Sequence, residues 1–476
     1  MKLSELLQDV TVLKTNVDGN TEIQAVTYDS RKVTEGGMFV AITGFVTDGN
    51  LYIPMALSKG ASVIVTAVEP TQEIPYVLVP SDRLALAQIG ANFYGHPGRA
   101  MTMVGVTGTN GKTTATLLLK HVLEKTCHAK VGLIGTTGNM IGDVPLHTER
   151  TTPESLDLQA LLAQMRDAGC THLVMEVSSH AIALERVGCL HYDVAAFTNL
   201  TEDHLDFHKT MENYCDTKAI LFTRCDKAVV NGDDAWAERL TGHATAQVLT
   251  TSAKHPAELY ACEQNLLSDG IEFTAVSGEK RVPIRLGIPG KFTVYNALTV
   301  LGCALQLGIS LEDAAEALAT AEGVKGRVEV VPTPGKPYTI LIDYAHTPDG
   351  LENVLASVKD FCRGRLIAVF GCGGDRDPMK RPIMGKIGSE IADIAIVTSD
   401  NPRTEEPSAI IADILQGIEK NNCKVIENRV EAIHYAMDIG EKDDIIVLAG
   451  KGHETYQEIC GVKYPMDERE IVASYL

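Results

Sequence analysis

A glycine-rich segment with one lysine and two following threonines is the clearest chemical feature of the sequence. Residues Gly108–Thr114 read Gly-Thr-Asn-Gly-Lys-Thr-Thr and stand between an apolar, strand-like stretch and a helical stretch, Ala115–Lys125. In such a loop the backbone N–H groups and the helix N-terminus attract phosphate oxygens, Lys112 reaches the terminal phosphates, and a threonine hydroxyl binds magnesium. Val106 stands where the standard phosphate-loop spacing has a glycine, so a purely structural turn is the alternative. The strand and the helix on either side favour a nucleotide site.

A carboxylate and an imidazole accompany two later predicted strands. Glu176 lies at the end of the predicted strand Leu173–Val177, and His204 follows the predicted strand Val194–Thr198. Parallel strands of such folds bind ligands at their carboxyl edge, so we expect both side chains near Lys112. A carboxylate, an imidazole and a threonine hydroxyl suit a magnesium ion that bridges two phosphate-bearing groups. Taken alone, His204 is more often a structural histidine than a ligand.

The elements that must position these residues indicate an α/β protein of three domains. Short strands such as Ala61–Val65 precede the loop Tyr94–Arg99, where we place the first boundary. Apolar strands then alternate with helices, as in a mostly parallel sheet. The predicted domains are an N-terminal α/β module (1–98), a central domain with a phosphate-loop-type, mostly parallel sheet (99–326) and a C-terminal Rossmann-like domain (327–476). Other elements are predicted at Ala228–Asn231, Val294–Leu307 (a helix), Tyr338–Ile342, Leu366–Phe370, Ile394–Thr398 and Ile445–Leu448.

Composition excludes several classes of protein. The 476 residues carry a formal charge of −20, which argues against a nucleic-acid partner because such binding needs a positive surface. The 11 cysteines form no Cys-x-x-Cys pair, which indicates reduced thiols. The polar start, Met1–Val10, does not resemble a signal peptide, and no stretch reaches the roughly 18 apolar residues of a membrane span. We therefore expect a cytoplasmic protein.

The phosphate loop and four later motifs resemble one enzyme family. The loop is similar to that of the Mur ligases and of the related folylpolyglutamate synthetases. The later motifs, in chain order, are Glu176–His180, Thr198–Asp206, Asp343–Asp349 and Gly450–Glu454. They resemble in particular the MurE group of Mur ligases, which adds the third residue of the peptidoglycan stem peptide. The resemblance covers nearly the whole chain and implies that ATP drives amide-bond formation through an acyl-phosphate.

The resemblance implies further residues around the nucleotide. Lys218 matches the family lysine that carbon dioxide carbamylates, which turns a cation into an anionic magnesium ligand; without the resemblance it would be read as a surface lysine. Arg327 can neutralise charge on a transferring phosphoryl group, with a salt bridge across a hinge as the alternative. The implied catalytic residues are Lys112, Glu176, His204, Lys218 and Arg327; the ATP-binding residues are Gly108, Thr109, Asn110, Gly111, Lys112, Thr113, Thr114, Asn296 and Asp343; the Mg2+ ligands are Thr113, Glu176, His204 and carbamylated Lys218.

The first domain resembles the UDP-binding module of the family. The matching loops are Asp29–Arg31 and Thr43–Gly49, although turn chemistry would explain both equally well. The residues that match contacts to a UDP-muramoyl-peptide are Ser30, Thr151, Thr152, Ser178 and Arg186. Leu184 stands where the family often has glutamine, so we assign it no role.

The segment Asp400-Asn401-Pro402-Arg403 is the most informative about the incoming amino acid. It resembles the pattern of family members that add meso-diaminopimelate, whereas lysine-adding members usually lack the arginine. Diaminopimelate differs from lysine by a distal carboxylate, for which an arginine offers a bidentate partner. A polar turn after a strand is the alternative. The implied diaminopimelate-binding residues are Arg376, Asp400, Asn401, Pro402, Arg403, Gly450 and Glu454.

The resemblance therefore implies a complete reaction. We expect an ATP-dependent, Mg2+-dependent ligase that adds meso-2,6-diaminopimelate to UDP-N-acetylmuramoyl-L-alanyl-D-glutamate in peptidoglycan precursor synthesis, and we expect a monomer. The alternatives within the class are a lysine-adding relative and a folylpolyglutamate synthetase. Outside it, a nucleotide-gated binding protein without catalysis and a mechanical phosphate-loop ATPase are the alternatives; the presence of Lys112, Glu176, His204 and Lys218 argues against the first.

Overall fold

The computed structural model describes residues 1–44, 47–146, 148, 150–242 and 244–476, and it divides into two compact units. The first unit comprises Met1–Thr251 with Thr299–Ser310, and the second comprises Ser252–Leu298 with Leu311–Leu476. Both units alternate strands and helices, which confirms the predicted α/β class. The three domain boundaries stay a prediction. None of the described helices is long and apolar enough to cross a membrane.

The first unit begins with a five-stranded sheet. Its elements are α1 (Leu3–Leu6), β1 (Lys14–Thr15), β2 (Val26–Thr27), β3 (Gly37–Val40), α2 (Ile53–Ser58), β4 (Ala61–Thr66), β5 (Tyr76–Leu78) and α3 (Asp82–Phe93). The strand order is β1-β5-β4-β3-β2, and the strands are parallel except for β1. The inner strands β3 and β4 are almost entirely buried, as expected for strands of a parallel sheet that is covered on both faces.

A larger sheet follows in the same unit. Its elements are β6 (Thr102–Thr107), α4 (Lys112–Cys127), β7 (Val131–Ile134), β8 (Asn139–Ile141), β9 (Val144–Leu146), α5 (Ser155–Asp167), β10 (His172–Glu176), α6 (Ser179–Ala183), β11 (Tyr192–Phe197), α7 (Leu205–His208), α8 (Met211–Ala219), β12 (Cys225–Asn231), α9 (Ala237–Thr241) and β13 (Gln247–Ser252). The order is β13-β12-β11-β6-β10-β7-β8-β9. The first six strands of that order are parallel, and β8 and β9 are antiparallel.

The register of the three central strands decides where the site lies. Glu176 pairs with Val106, and Phe197 pairs with Thr107. The strands β10, β6 and β11 therefore end at one edge of the sheet, and the segments that follow them leave from that edge. This geometry brings the phosphate loop, Glu176 and the segment after β11 together.

The second unit contains an antiparallel meander and a mostly parallel sheet. Its elements are β14 (Leu259–Leu267), β15 (Gly270–Ser277), β16 (Lys280–Leu286), α10 (Lys291–Gln306, divided between the units), α11 (Leu311–Ala319), β17 (Glu329–Val331), β18 (Thr339–Asp343), α12 (Pro348–Lys359), β19 (Leu366–Phe370), α13 (Lys380–Ile391), β20 (Ile394–Val397), α14 (Pro407–Leu415), β21 (Cys423–Val425), α15 (Arg429–Asp438), β22 (Ile445–Ala449), β23 (Tyr456–Ile459), β24 (Val462–Pro465) and α16 (Glu468–Ser474). The sheet order is β17-β18-β22-β19-β20-β21, with β17 antiparallel.

Every strand predicted from an apolar run overlaps an observed strand. The short edge strands Glu329–Val331 and Cys423–Val425, and the hairpin of β23 and β24, were not predicted. Their residues are largely exposed or half-buried, so they lack the continuous apolar run of an inner strand. The predicted helix Ala115–Lys125 extends to Lys112–Cys127, because the helix starts directly after Gly111.

Candidate functional site

The phosphate loop connects β6 to α4 through two glycines with positive φ. Gly111 precedes the first helical residue at φ 85°, and Gly108 has φ 151°. A Cβ on Gly108 would lie 1.9 Å from the Oγ1 of Thr198, so a side chain is excluded there. The first four N–H groups of α4 have no acceptor within the helix, and Thr113 and Thr114 are buried in its first turn. The helix start is therefore the part of the loop built to meet an anion.

The segment after β11 fixes the other half of the loop. The N–H groups of Thr109 and Asn110 donate to the backbone and side-chain oxygens of Asn199, at 2.8 and 2.9 Å. The Thr198 hydroxyl donates to the Asn110 carbonyl at 2.6 Å. These two N–H groups are thus occupied within the protein. Thr198 and Asn199 stand in a motif that the sequence singled out, but no role was assigned to them.

Two lysines converge on one carbonyl oxygen of the loop. The Nζ of Lys112 donates to the carbonyl of Gly108 at 3.0 Å and to that of Thr109 at 2.8 Å. The Nζ of Lys218, which is 1% exposed, donates to the same Gly108 carbonyl at 2.9 Å and lies 4.6 Å from the ring centre of Tyr214. Burial, and after it the charge of Lys112, lower the pKa of Lys218 well below its ordinary value of 10.5. Lys218 is therefore a buried lysine beside the phosphate loop and not a surface lysine.

The Glu176 side chain is buried at the end of β10. One of its oxygens accepts from the Thr136 backbone N–H at 2.8 Å, and the other accepts from the Thr136 hydroxyl at 3.1 Å. That hydroxyl is also 3.0 Å from the hydroxyl of Thr151. Gly135 allows this approach, because a Cβ there would lie 2.5 Å from the carboxylate. Thr136 therefore orients Glu176, and nothing in the sequence pattern indicated it.

His204 belongs to a cluster of histidine rings. Its backbone is left-handed (φ 54°), its side chain is 47% exposed, and its Nε2 is 3.4 Å from Asp203. The ring of His180 lies 4.8 Å away. His208 is buried, 2.9 Å from the Ser179 hydroxyl, and burial together with the neighbouring positive charges lowers its pKa to about 4.

The side chains at the edge of the sheet where β6, β10 and β11 end have the donor chemistry of a magnesium site. Thr113, Glu176 and His204 offer a hydroxyl, a carboxylate and an imidazole on segments that leave the same edge of the sheet. Within the described residues no three His, Cys, Asp or Glu side chains converge as a ready metal cluster. Lys218 as a cation would repel the ion, so it fits the set only as an anionic derivative.

The predicted UDP contacts of the first sheet lie in two turns. Ser30 is buried, and its hydroxyl is 3.4 Å from the sulfur of Met55. In the second turn, the Thr43 N–H and hydroxyl both donate to Asp82 at 2.8 Å. Phe45 and Val46, which the motif Thr43–Gly49 includes, lie outside the described residues.

The predicted muramoyl-peptide contacts surround a carboxylate that the sequence did not single out. Thr152 donates to the Glu176 carbonyl at 3.0 Å, and Arg186 donates to the Thr152 carbonyl at 3.2 Å. Ser178 caps α6 by accepting from the Ala181 N–H. Glu154 lies 3.4 Å from Arg186, and it also pairs with Arg83 and Arg150. One carboxylate facing three guanidinium groups leaves a positive region beside Thr151 and Thr152.

In the second unit, two of the predicted nucleotide residues, Arg327 and Asp343, lie around the turn before β17. The buried Asp343 carboxylate accepts from the N–H groups of Val328 and Ala345, both at 2.8 Å. Burial raises the pKa of Asp343, against the opposing charge of Arg327. The Arg327 guanidinium lies 5.3 Å from the ring centre of Tyr344, and its Nε is buried without a hydrogen-bond partner among the described residues. Asn296 is buried on α10.

The segment Asp400–Arg403 faces the loop after β22. The Arg403 side chain donates to the Gly374 carbonyl at 2.6 Å and lies 3.5 Å from the Glu458 carboxylate. One oxygen of Asp400 is buried without a hydrogen-bond partner among the described residues. Gly450 makes room for it, since a Cβ there would be 2.6 Å from that oxygen. Pro402 lies in the same turn, and Arg376 is exposed on the loop after Gly374.

A fully buried lysine that the sequence reasoning passed over holds this pocket together. Lys451 donates to the Asn401 side-chain oxygen at 2.8 Å and to the Glu454 carboxylate at 2.9 Å. The Asn401 amide nitrogen donates to the same carboxylate at 2.9 Å. The signal for Lys451 was its place in the motif Gly450–Glu454, of which only the ends were assigned.

Comparisons with known proteins identify the family. A model of the Mur ligase middle domain matches residues 106–304, one of the glutamate ligase domain of Mur ligases matches 326–452, and one of the Mur ligase family catalytic domain matches 22–94. The chain belongs to the Mur ligase family. The predicted family resemblance is thereby confirmed.

Close relatives within the family match over the full length. A protein of Caldanaerobacter subterraneus is 48% identical, with 100% of this chain and 99% of the relative covered, and one of Clostridium acetobutylicum is 47% identical with the same coverage. Both are named UDP-N-acetylmuramoyl-L-alanyl-D-glutamate–2,6-diaminopimelate ligase. A solved structure of a ligase of that name has a TM-score of 0.76 at 32% identity, with 100% of this chain and 98% of that chain covered.

Proposed function

We propose that this chain is an ATP-dependent ligase that adds meso-2,6-diaminopimelate to UDP-N-acetylmuramoyl-L-alanyl-D-glutamate, with ADP and phosphate as the other products. The observation that carries the proposal is the pocket after β20 and β22. Its segments carry a guanidinium, Arg403, which donates to the Gly374 carbonyl. They also carry two carboxylates, Glu454, which accepts from Asn401, and Asp400, one oxygen of which has no hydrogen-bond partner among the described residues. Such a set matches an amino acid with both a distal carboxylate and ammonium groups.

The phosphate loop serves the first half of the reaction. A carboxylate oxygen of the D-glutamyl residue attacks the γ-phosphorus of ATP, and the bond from that phosphorus to the β,γ-bridging oxygen breaks to give an acyl-phosphate and ADP. The helix start at Gly111–Thr114 and the ammonium of Lys112 hold the phosphates and offset the repulsion between two anions. Asn296, Arg327 and Asp343 are proposed as further nucleotide-binding residues, and Gly108, Thr109 and Asn110 shape the loop.

The second half of the reaction needs the amino acid. The amine of diaminopimelate attacks the acyl carbon, phosphate leaves with its bonding electron pair, and the nitrogen loses a proton. Arg403 binds the distal carboxylate, and Asp400 and Glu454 bind ammonium groups, with Arg376, Asn401, Pro402 and Gly450 completing the pocket. Lysine lacks the distal carboxylate, so it would leave the Arg403 guanidinium without its anion.

Magnesium would be held by Thr113, Glu176, His204 and a carbamate on Lys218, and when bound it supplies charge compensation between the phosphates and the acceptor carboxylate. The carbamate forms when the neutral Nζ of Lys218 attacks carbon dioxide, which creates an N–C bond and releases a proton. Two observations support this step. The Lys218 side chain is fully buried, and its lowered pKa favours the neutral amine.

The UDP-muramoyl-dipeptide is proposed to bind Ser30, Thr151, Thr152, Ser178 and Arg186 in the first unit. The positive region around Glu154 supports an anionic ligand there. The three segments 1–98, 99–326 and 327–476 then serve the UDP substrate, ATP and the amino acid. From the family resemblance we further propose that the enzyme works in the cytoplasm and is a monomer.

The test is ATP-dependent phosphate release with the UDP-muramoyl-dipeptide and either meso-diaminopimelate or L-lysine. Turnover with diaminopimelate alone supports the ligase and the pocket. Turnover with lysine at an equal rate would keep the ligase but overturn the assignment of Arg403. A dipeptide labelled with 18O in its terminal carboxylate should pass one labelled oxygen to phosphate, and absence of that transfer would reject the acyl-phosphate.

A further inference from the structure

Glu329 ties the turn that carries Arg327 to helix α16. It stands at the start of β17, and one of its carboxylate oxygens accepts from the Gly326 N–H at 2.6 Å. The carboxylate also binds the Arg469 guanidinium through two N–H groups, the Nε at 2.7 Å and one Nη. One side chain therefore fixes the backbone directly before Arg327 and a cation of the last helix.

Arg469 extends the same connection to the loop after β22. Its Nη2 donates to the Gly452 carbonyl at 3.0 Å, and its Nη1 donates to Asp467 at 3.1 Å. The guanidinium thus bonds three groups at once. A lysine would keep the charge but could not reproduce this planar set of donors.

Two glycines bring the turn and the loop into direct contact. A Cβ on Gly326 (φ +71°) would lie 2.3 Å from the backbone nitrogen of His453. A Cβ on Gly452 (φ +53°) would lie 2.5 Å from the Cβ of Tyr344, whose own N–H donates to the Gly326 carbonyl at 3.0 Å. The three segments are therefore packed without space for adjustment.

Each end of this contact carries a group of the proposed reaction. On one side Arg327 lies over the Tyr344 ring, which in turn lies 4.8 Å from the His453 ring. On the other side, the loop continues from Gly452 to Glu454, which pairs with Lys451 in the amino-acid pocket. The contact between the turn and the loop therefore lies between the two groups.

We infer that Glu329 and Arg469 are positioning residues that hold the Arg327 turn against the Gly450–Glu454 loop, so that nucleotide binding at Arg327 and amino-acid binding in the pocket favour one another. The inference rests on the proposed function, which assigns those two ligands. It adds a coupling between them that requires neither residue to touch substrate. By thermodynamic reciprocity each ligand tightens the other by the same factor.

The test uses Arg469→Lys and the nearly isosteric Glu329→Gln. Arg365→Lys is the matched control, because Arg365 makes a similar two-pronged contact with Asp444 in the same unit, at 3.1 and 2.7 Å, away from the pocket. The dissociation constant of diaminopimelate is measured by calorimetry with and without a non-hydrolysable ATP analogue, in the presence of the UDP-dipeptide. Steady-state KM values and melting temperatures are measured for all variants.

We expect the analogue to tighten diaminopimelate binding about tenfold in the wild type and in Arg365→Lys. In both test variants the ratio of the diaminopimelate dissociation constants without and with the analogue should approach one. The KM should rise for ATP and for diaminopimelate but not for the UDP-dipeptide. A ratio near one in the wild type, or an equal loss in Arg365→Lys, would overturn the inference. So would a loss of kcat with all KM values unchanged, which is the mark of a merely destabilised protein. A wild-type enzyme without diaminopimelate turnover would instead reject the proposed function.

Discussion

The phosphate loop of the first unit and the amino-acid pocket of the second unit both place a lysine beside conformationally special glycines, but they compensate its charge differently. Lys218 donates to neutral oxygens and shares the Gly108 carbonyl with the ammonium of Lys112, whose charge, after burial, lowers the pKa of Lys218. Lys451 instead has the carboxylate of Glu454 as a direct partner. The positive charge of the first region is that of Lys112, whereas the charge of Lys451 in the second region is compensated by a carboxylate.

This difference indicates two ways of binding a charged ligand. Positive charge over a helix N-terminus favours any polyphosphate, so the first region gains affinity from charge. In the second region a ligand must replace contacts that already exist, such as that of Arg403 with the Gly374 carbonyl. Binding there depends on geometric match, which gives discrimination between similar amino acids.

Removing charge from the first region should have the largest effect. We expect Lys112→Met to lower kcat/KM about 10³-fold, roughly 4 kcal/mol of transition-state stabilisation. Phosphate release under saturating diaminopimelate measures it. Lys120→Met is the control, since Lys120 lies on the same helix and pairs with Glu124 at 2.7 Å, away from the loop. Equal losses in the two variants would show that charge at the loop is not what matters.

Removing the guanidinium from the second region should change selectivity. We expect Arg403→Lys to lower kcat/KM for diaminopimelate about 100-fold, roughly 3 kcal/mol, because a single ammonium does not replace a two-pronged contact. The slow rate with L-lysine should stay unchanged. Arg376→Lys tests the second arginine that was predicted from the sequence to bind diaminopimelate. A larger loss in that variant would move the distal carboxylate to the exposed loop after Gly374.

The sequence predicted the first region better than the second. Gly108–Thr114 is a continuous segment whose glycines and helix start have a direct structural meaning, so its conformation could be predicted locally. The partners that hold it could not be, because Asn199 and Lys218 reach it only through the register of β6 and β11 and the packing of α8. Long-range pairing has no local pattern.

The second region depends on contacts between distant segments. Lys451 and Asn401 are 50 positions apart, and each residue alone would pass for a polar turn residue. Glu329 and Arg469 are 140 apart, and Glu329 stands in an edge strand that periodicity did not predict. The sequence thus identified the motifs at the ends of the pocket but not the network between them.

The compensated pair of the second region should matter for both affinity and stability. We expect Lys451→Met to raise the KM for diaminopimelate about tenfold and to destabilise the protein by about 3 kcal/mol, because it leaves Glu454 without its cation. Urea unfolding and steady-state kinetics measure the two effects. The double variant Lys451→Met, Glu454→Gln should recover most of the stability. If it is no more stable than the single variant, the charge of Glu454 is not the cause.

The smallest expected effect is the pH dependence of the melting temperature that arises from His453, next to Glu454 of the second region. Burial, and after it the charge of Arg327, lower the pKa of His453 below its ordinary value of 6.5. The unfolded chain therefore binds a proton at His453 more readily than the folded protein does. The contribution of neutral His453 to the free energy of unfolding is present above about pH 6.5 and is lost as the pH falls towards the lower pKa of the folded protein. In His453→Gln that contribution is absent. Between pH 6.5 and 5.5 the melting temperature of the variant should therefore fall by about 2 °C less than that of the wild type. Differential scanning calorimetry at matched ionic strength measures the slope. An unchanged slope would mean that neither burial nor the Arg327 charge lowers the pKa of His453 in the folded protein.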